Sequence, residues 1–275
     1  MTAPSLKRPH FHNPPIFEQV ISVAFDRIRN FTATDFGMFL QRISFDFPNT
    51  DMAPRLAIGT ELFEGQGTSI PLEIVGPIAL PRVVYKSSDA SEMVQVQDDF
   101  FAFNWVNIDE GGSYPRFERT SEQLWKHLSL FREFIKERHG IEIGIRQAEI
   151  TNVNIVPIDS FGEDYNDIAA AFIVDPFDWN VPGLVAETYV RQRVHRIVND
   201  ESQPLGRLYS NIAPVLNTNG EKAFKFELTA RSSRKPYSDQ ELTKFLDKAH
   251  TMINGAFMAS VTARMKKIWR EHDVE

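Results

Sequence analysis

The chain has 275 residues, 42% of them apolar and 24% charged, an ordinary globular balance that suits one large domain or two of modest size. Its 30 Lys and Arg stand against 37 Asp and Glu, and the net charge of −7 argues against bulk binding of DNA or RNA, where cations must displace counterions from phosphates. The absence of cysteine excludes disulfides, thiolate catalysis and zinc–cysteine sites, and agrees with a reducing cytoplasm.

Residues 1–15 hold four prolines and two histidines and read as a flexible arm without the apolar stretch of a signal peptide. No apolar run approaches the ~20 residues of a membrane-spanning helix, so the expected location is cytoplasmic and no membrane contact is expected. His10-Phe11-His12 offers two imidazoles but no third ligand nearby, and zinc needs three or four; no metal or cofactor is expected. Residues 16–25 favour a strand. Residues 35–43 carry Phe36, Phe39, Leu40 and Ile43 at helical spacing, with Thr32 or Thr34 as cap. Residues 56–62 and 83–85 are strand candidates on either side of a Gly/Pro-rich loop. Gly65-Gln66-Gly67 in that loop runs on to Pro71 instead of opening a helix, unlike a phosphate loop. Residues 93–97 alternate, Asp98-Asp99 is the expected solvated turn, and residues 100–105 are the return strand. Thr120 then opens a capping box with Gln123, and Leu124, Leu128, Phe131 and Ile135 form a stripe that Gly140 ends.

The second half opens with a somewhat irregular strand over residues 144–158. Residues 165–171 suit a short helix. Residues 188–198 fit either state, and their β-branched residues favour a strand that puts Arg191, Arg193 and His195 on one face with Tyr189. Asn219-Gly220 is a strong hairpin signal, because a type I′ turn needs positive φ at both positions. Ser238 opens a second capping box with Glu241, and the apolar stripe beyond it predicts one helix to Trp269, roughly 30 residues or about 45 Å. The element order recurs, which predicts an α+β fold: two tandem β-α-β(n)-α halves, residues 16–143 and 144–275, with antiparallel sheets and two long helices packed on one side.

Several motifs in order resemble a sporadically distributed bacterial family of unknown function, about 250–280 residues long. They are Asn13-Pro14-Pro15-Ile16-Phe17-Glu18, Val94-Gln95-Val96-Gln97, Phe103-Asn104-Trp105, Ser113-Tyr114-Pro115-Arg116-Phe117, Ile150-Thr151-Asn152-Val153-Asn154-Ile155 and the run from Ala249 to Phe257. The resemblance implies no established activity and no catalytic residues. The family's patchy distribution is like that of defence or toxin–antitoxin genes. The doubled element order also resembles, in topology alone, TATA-binding-protein-like and helix-grip units, which bind nucleic acid or apolar ligands.

Three groups stand out as candidate sites. Asn104, Trp105, Tyr114 and Arg116 set amide, aromatic and cationic groups near a strand end, as a recognition site would. Arg191, Arg193, His195, Arg196 and Arg207 give the second half a basic surface fit for an anion or nucleic acid. Val261, Met265, Ile268 and Trp269 extend the last stripe beyond what a small sheet covers, which predicts packing on the first half or an interface, such as that of a homodimer. His250 reads as a hydrogen-bonded histidine at the core edge. With no catalytic signature, the leading expectation is a non-enzymatic binding or regulatory protein acting through a protein partner. The alternatives are a nucleic-acid binder using a concave sheet face, and an enzyme or small-ligand binder with a pocket between helix and sheet.

Overall fold

The computed structural model describes residues 10–63, 80–108, 114–174, 188–217 and 219–272. In chain order these form β1 (His10–Phe11), β2 (Ile16–Phe25), α1 (Ala33–Ile43), β3 (Asn49–Ala53), β4 (Arg82–Lys86), β5 (Glu92–Gln97), β6 (Phe100–Val106), α2 (Arg116–His139) and β7 (Ile145–Pro157). The remainder are α3 (Ile168–Ala171), β8 (Arg191–Val198), β9 (Pro204–Leu216), β10 (Lys222–Ser232), α4 (Asp239–Ser260), α5 (Ala263–Ile268) and β11 (Glu271–His272). Nine strands make one antiparallel sheet in the order β3-β4-β5-β6-β2-β7-β10-β9-β8. The α+β class and the recurring order are as expected, and the two halves share a single sheet. Their opening strands, β2 and β7, are neighbours at its centre, with Val20 opposite Thr151 and Ile21 opposite Ile150.

Alternation in each strand sorts the side chains onto two faces. Ile21, Val23, Tyr85, Val94, Val96, Phe101, Phe103, Ile150, Phe224, Phe226 and Leu228 go to the side that the long helices cover, and all are buried. The stripe of α2 (Leu124, Leu128, Phe131, Ile135) and that of α4 (Leu242, Leu246, Ala249, Ile253) are buried with them. Each large side chain so buried contributes roughly 1.5–3 kcal/mol. The helices meet where Phe117 stacks on His250 at 4.2 Å and where Arg132 clasps Asp239 at 2.8 and 2.9 Å. His250 also bonds Asn254 at 3.0 Å.

Several elements differ from the sequence reading, each for a tertiary reason. α2 starts at Arg116, so Thr120 is no cap: it lies inside the helix, buried, and donates to the Gln19 side chain beneath it. β7, by contrast, is one continuous strand with the expected irregularity: its register against β2 shifts between the Ala24–Gln147 and Phe25–Ile145 pairs, and Asn152 and Asn154 interrupt its apolar alternation. Both face the helices, and their amides are satisfied by Gln19 and by the Phe226 carbonyl. The Asn219-Gly220 hairpin is in place, but with another turn. Gly220 alone of the two has positive φ (79°), and Asn217 exchanges bonds with Gly220 and Glu221, as in a longer loop closed by a left-handed glycine.

Residues 10–13, read as part of a free arm, are bound to the C-terminal segment. His10 and Phe11 pair with His272 and Glu271, and Phe11 packs edge-on against Phe257 and Trp269. The last helix is not continuous. Val261 is extended and bridges Phe172, the Thr262 amide donates to the Ala171 carbonyl, and Thr262 then caps α5. Two β-branched residues and a new cap at that point let the chain turn its last stripe back onto the core.

Candidate functional site

The face of the sheet opposite the helices carries mostly polar side chains. Glu18, Val20 and Ser22 come from β2, Arg82 from β4, Gln95 from β5, Asn104 from β6, Gln147, Glu149 and Thr151 from β7, and Arg231 from β10. Residues 54–63 cross this face as a strap without regular structure, although residues 56–62 read as a strand in the sequence. Side chains of the sheet take the strap's backbone groups in place of a neighbouring strand. The Gln97 amide bonds Leu56 N at 2.6 Å and Leu56 O at 3.3 Å, while Gln147 accepts from Glu61 N at 3.2 Å and donates to Gly59 O at 2.7 Å.

Buried charge fixes both ends of the strap. Arg55 pairs with Asp98 and Asp99 at the β5–β6 turn, and Arg27 reaches Asp98 at 2.7 Å. Asp98 is thus no solvated turn residue: its side chain is only 3% exposed. Burial raises the Asp99 pKa, with Arg55 opposing. At the other end the buried Glu61 carboxylate meets Arg207, Arg231 and the Tyr209 hydroxyl. Arg207 also lies over the Phe63 ring at 4.4 Å.

Between strap and sheet lies a half-enclosed cavity of about 300 Å³. A directed relay crosses its floor over four strands. Arg82 donates to the Gln95 carbonyl oxygen at 2.6 Å, Gln95 to that of Asn104 at 2.8 Å, and Asn104 to the Glu18 carboxylate at 2.7 Å. The amides thus point from cation to anion, so each bond polarises the next. Burial raises the Glu18 pKa, opposed by the Asn104 bond, with Glu227 adding to the rise and Lys225 and Arg82 countering it. Burial likewise lowers that of Arg82, which Glu18 opposes. Larger openings between α2 and α4, lined by Trp125, Thr243 and Lys244 among others, are shallow surface grooves.

The structure disperses the sequence candidates. Asn104 lies in the cavity floor. Trp105, the next residue in the strand, points to the helix side and meets Tyr114 at 5.4 Å. Tyr114 accepts from Gln19 at 2.6 Å, and burial raises its hydroxyl pKa. Arg116 opens α2 with φ of 71°, a left-handed conformation uncommon outside glycine. Asn104 and the Trp105–Tyr114 pair therefore do not form one site.

The basic group is divided in the same way. Register puts Arg191, Arg193 and His195 on the helix side of edge strand β8, and Arg196 with Arg207 on the open side. Val261, Met265 and Trp269 are buried within the chain, and Ile268 is 39% exposed. Gly65-Gln66-Gly67 lies outside the described residues. Among the described residues no group of three His, Asp or Glu is placed to hold a metal, and no helix is long and apolar enough to cross a membrane.

Sequence reasoning missed Glu18, Arg82, Gln95, Glu149, Arg231 and Glu61 as site residues. The available signal was the polar half of the strand alternation: Gln95 and Gln97 between valines, and Asn104 between Phe103 and Trp105. In comparisons with protein families, curated proteins and solved structures, no family model, curated protein or solved structure matches this chain.

Proposed function

We propose that this chain is a non-enzymatic binding protein that takes a small polar molecule between the strap and the open face of the sheet. One observation carries the reading: the cavity gathers oriented charged and amide groups from β2, β4, β5, β6, β7 and β10 under a covering segment. Half-enclosed sites with a few convergent polar groups are the usual form of small-ligand sites, and 300 Å³ is at the small end of their range. This differs from the pocket between helix and sheet that the sequence suggested, because apolar side chains fill that space.

The nucleic-acid reading has less support. Arg207 and Arg231 on the open face are countered by Glu61 and Glu149. A protein partner is supported only by scattered features: exposed apolar residues such as Phe45, Met52 and Val194 stand on separate elements.

The test is equilibrium dialysis of the protein against a small-metabolite extract, followed by mass spectrometry of the retained molecules. Val20→Trp, which fills the cavity from the centre of β2, serves as control. Specific retention by the wild type that the variant loses is expected; equal retention by both would sink the proposal.

A further inference from the structure

Resting on the cavity as a binding site, we infer that its ligand is an extended zwitterion, with an amine received by Glu18 and a carboxylate received by Arg82, as in a short peptide with free ends or an ω-amino acid. One of the three charged groups at issue in the cavity is already matched. Arg231 is held by Glu149 and Glu61. Glu18 and Arg82 have no ion-pair partner among the described residues, and each spends a bond on a neutral amide. Burial shifts both groups away from their charged forms. Their counter-charges, each other and for Glu18 also Lys225, act only beyond ion-pair distance, and a charge with little water and no close partner gains most from a ligand of opposite charge.

Spacing then selects the class. β5 and β6 lie between β4 and β2, so the backbones bearing the two charges are three strand intervals apart, roughly 14 Å at ~4.8 Å each. Their charged heads are linked through Gln95 and Asn104, by three hydrogen bonds in series. An α-amino acid carries both charges on one carbon and cannot reach both ends. A tripeptide with free ends or a chain of six or so carbons can. Leu56, Ala57 and Phe100 along the wall supply apolar contact for the middle of such a molecule.

The relay also sets polarity. Both amides donate toward Glu18, so the Glu18 end accepts and the Arg82 end donates. A ligand entering in reverse would set its amine against Arg82 and its carboxylate against Glu18. Only one orientation fits.

Isothermal titration with a probe series decides the matter: glycine, triglycine, 3-aminopropanoate, 6-aminohexanoate, 8-aminooctanoate, hexylamine, hexanoate and hexanamide. With the wild-type protein, affinity should rise with charge separation to an optimum near triglycine or 6-aminohexanoate. Those two should bind about 10-fold or more tighter than hexylamine or hexanoate, the scale of one charge-assisted hydrogen bond. Glu18→Gln should weaken the zwitterions and hexylamine by about 10-fold and leave hexanoate unchanged; Arg82→Gln should do the converse.

The length series needs no variant, so a variant that fails to fold leaves the test intact. Hexanamide binding as tightly as 6-aminohexanoate, in a manner that Val20→Trp abolishes, would overturn the zwitterion and leave the cavity as a site. The absence of binding by any zwitterion at millimolar concentration would also overturn the inference, whereas the dialysis experiment decides the cavity reading separately.

Discussion

Glu18 and Glu61 show how position, not residue type, sets the role of a carboxylate. Both line or close the same space. Glu61 has two guanidiniums and a phenol around it and anchors the strap; Glu18 has one amide and keeps capacity for a ligand. His127 illustrates the same point inside the core. Its ring lies edge-on to Phe47 at 5.0 Å, and burial lowers its pKa from 6.5 to about 4, with Lys126 adding to the effect and Asp46 opposing it. The folded protein therefore holds this histidine neutral, while the unfolded chain takes up a proton below about 6.5. Stability should fall as pH drops from about 6.5 to about 4, by roughly 3 kcal/mol from this residue, and this contribution should level off below that window. Replacing His127 with Phe should remove up to one proton from that limb, flattening the slope by about 1.4 kcal/mol per pH unit. Urea midpoints measured between pH 4 and 7 test this; an unchanged slope would contradict it.

At the scale of elements, the structure depends on close approaches that few residues permit. Gly206 on β9 faces β10 so closely that a Cβ there would lie 2.1 Å from the Arg231 carbonyl oxygen. Gly206→Ala must push the strands apart and should cost about 1–3 kcal/mol, as overpacking does. Because Arg207 follows directly and Arg231 lies opposite, both grips on Glu61 should loosen with it. Hydrogen exchange at residues 56–62 should rise in this variant more than exchange in α2. Equal change in both would mean that the strap is not held by these arginines. The break between α4 and α5 is a further effect at this scale: it lets Met265 and Trp269 finish in the core beside Phe11 and Phe257.

For the whole molecule, the pairing of β2 with β7 turns two similar successions of elements into one body. The junction includes nine residue pairs, the Gln19–Asn152 bond at 2.9 Å and the Arg132–Asp239 clasp between the long helices. Cutting it would expose two long strand edges and the sides of both helices. Unfolding in urea should therefore be a single transition by both circular dichroism and tryptophan fluorescence. Residues 1–143 and 144–275 expressed apart should each lack cooperative unfolding. A cooperative transition in either isolated half would show that the halves are stable alone.

The sequence by itself determined the elements with strong local signals. Apolar content marked β2, alternation marked β5 with β6 as its return strand, Asn219-Gly220 marked the hairpin of β9 and β10, the Ser238–Glu241 box started α4, and Gly140 ended α2 with its φ of 69°. These depend on periods and caps, which are properties of neighbouring residues. Only the tertiary structure decided what depends on groups far apart in the chain. β3 was not read from the sequence because its five residues are nearly all exposed and carry no apolar alternation. Residues 56–62 look strand-like, yet their backbone partners are the side chains of Gln97 and Gln147. Asp98 looked like a wetted turn until Arg27 and Arg55 closed over it. The site itself, from Arg82 through Gln95 and Asn104 to Glu18, exists only once four strands stand in register: hydrogen bonds are short-ranged and directional, and no spacing along the chain encodes which strands become neighbours.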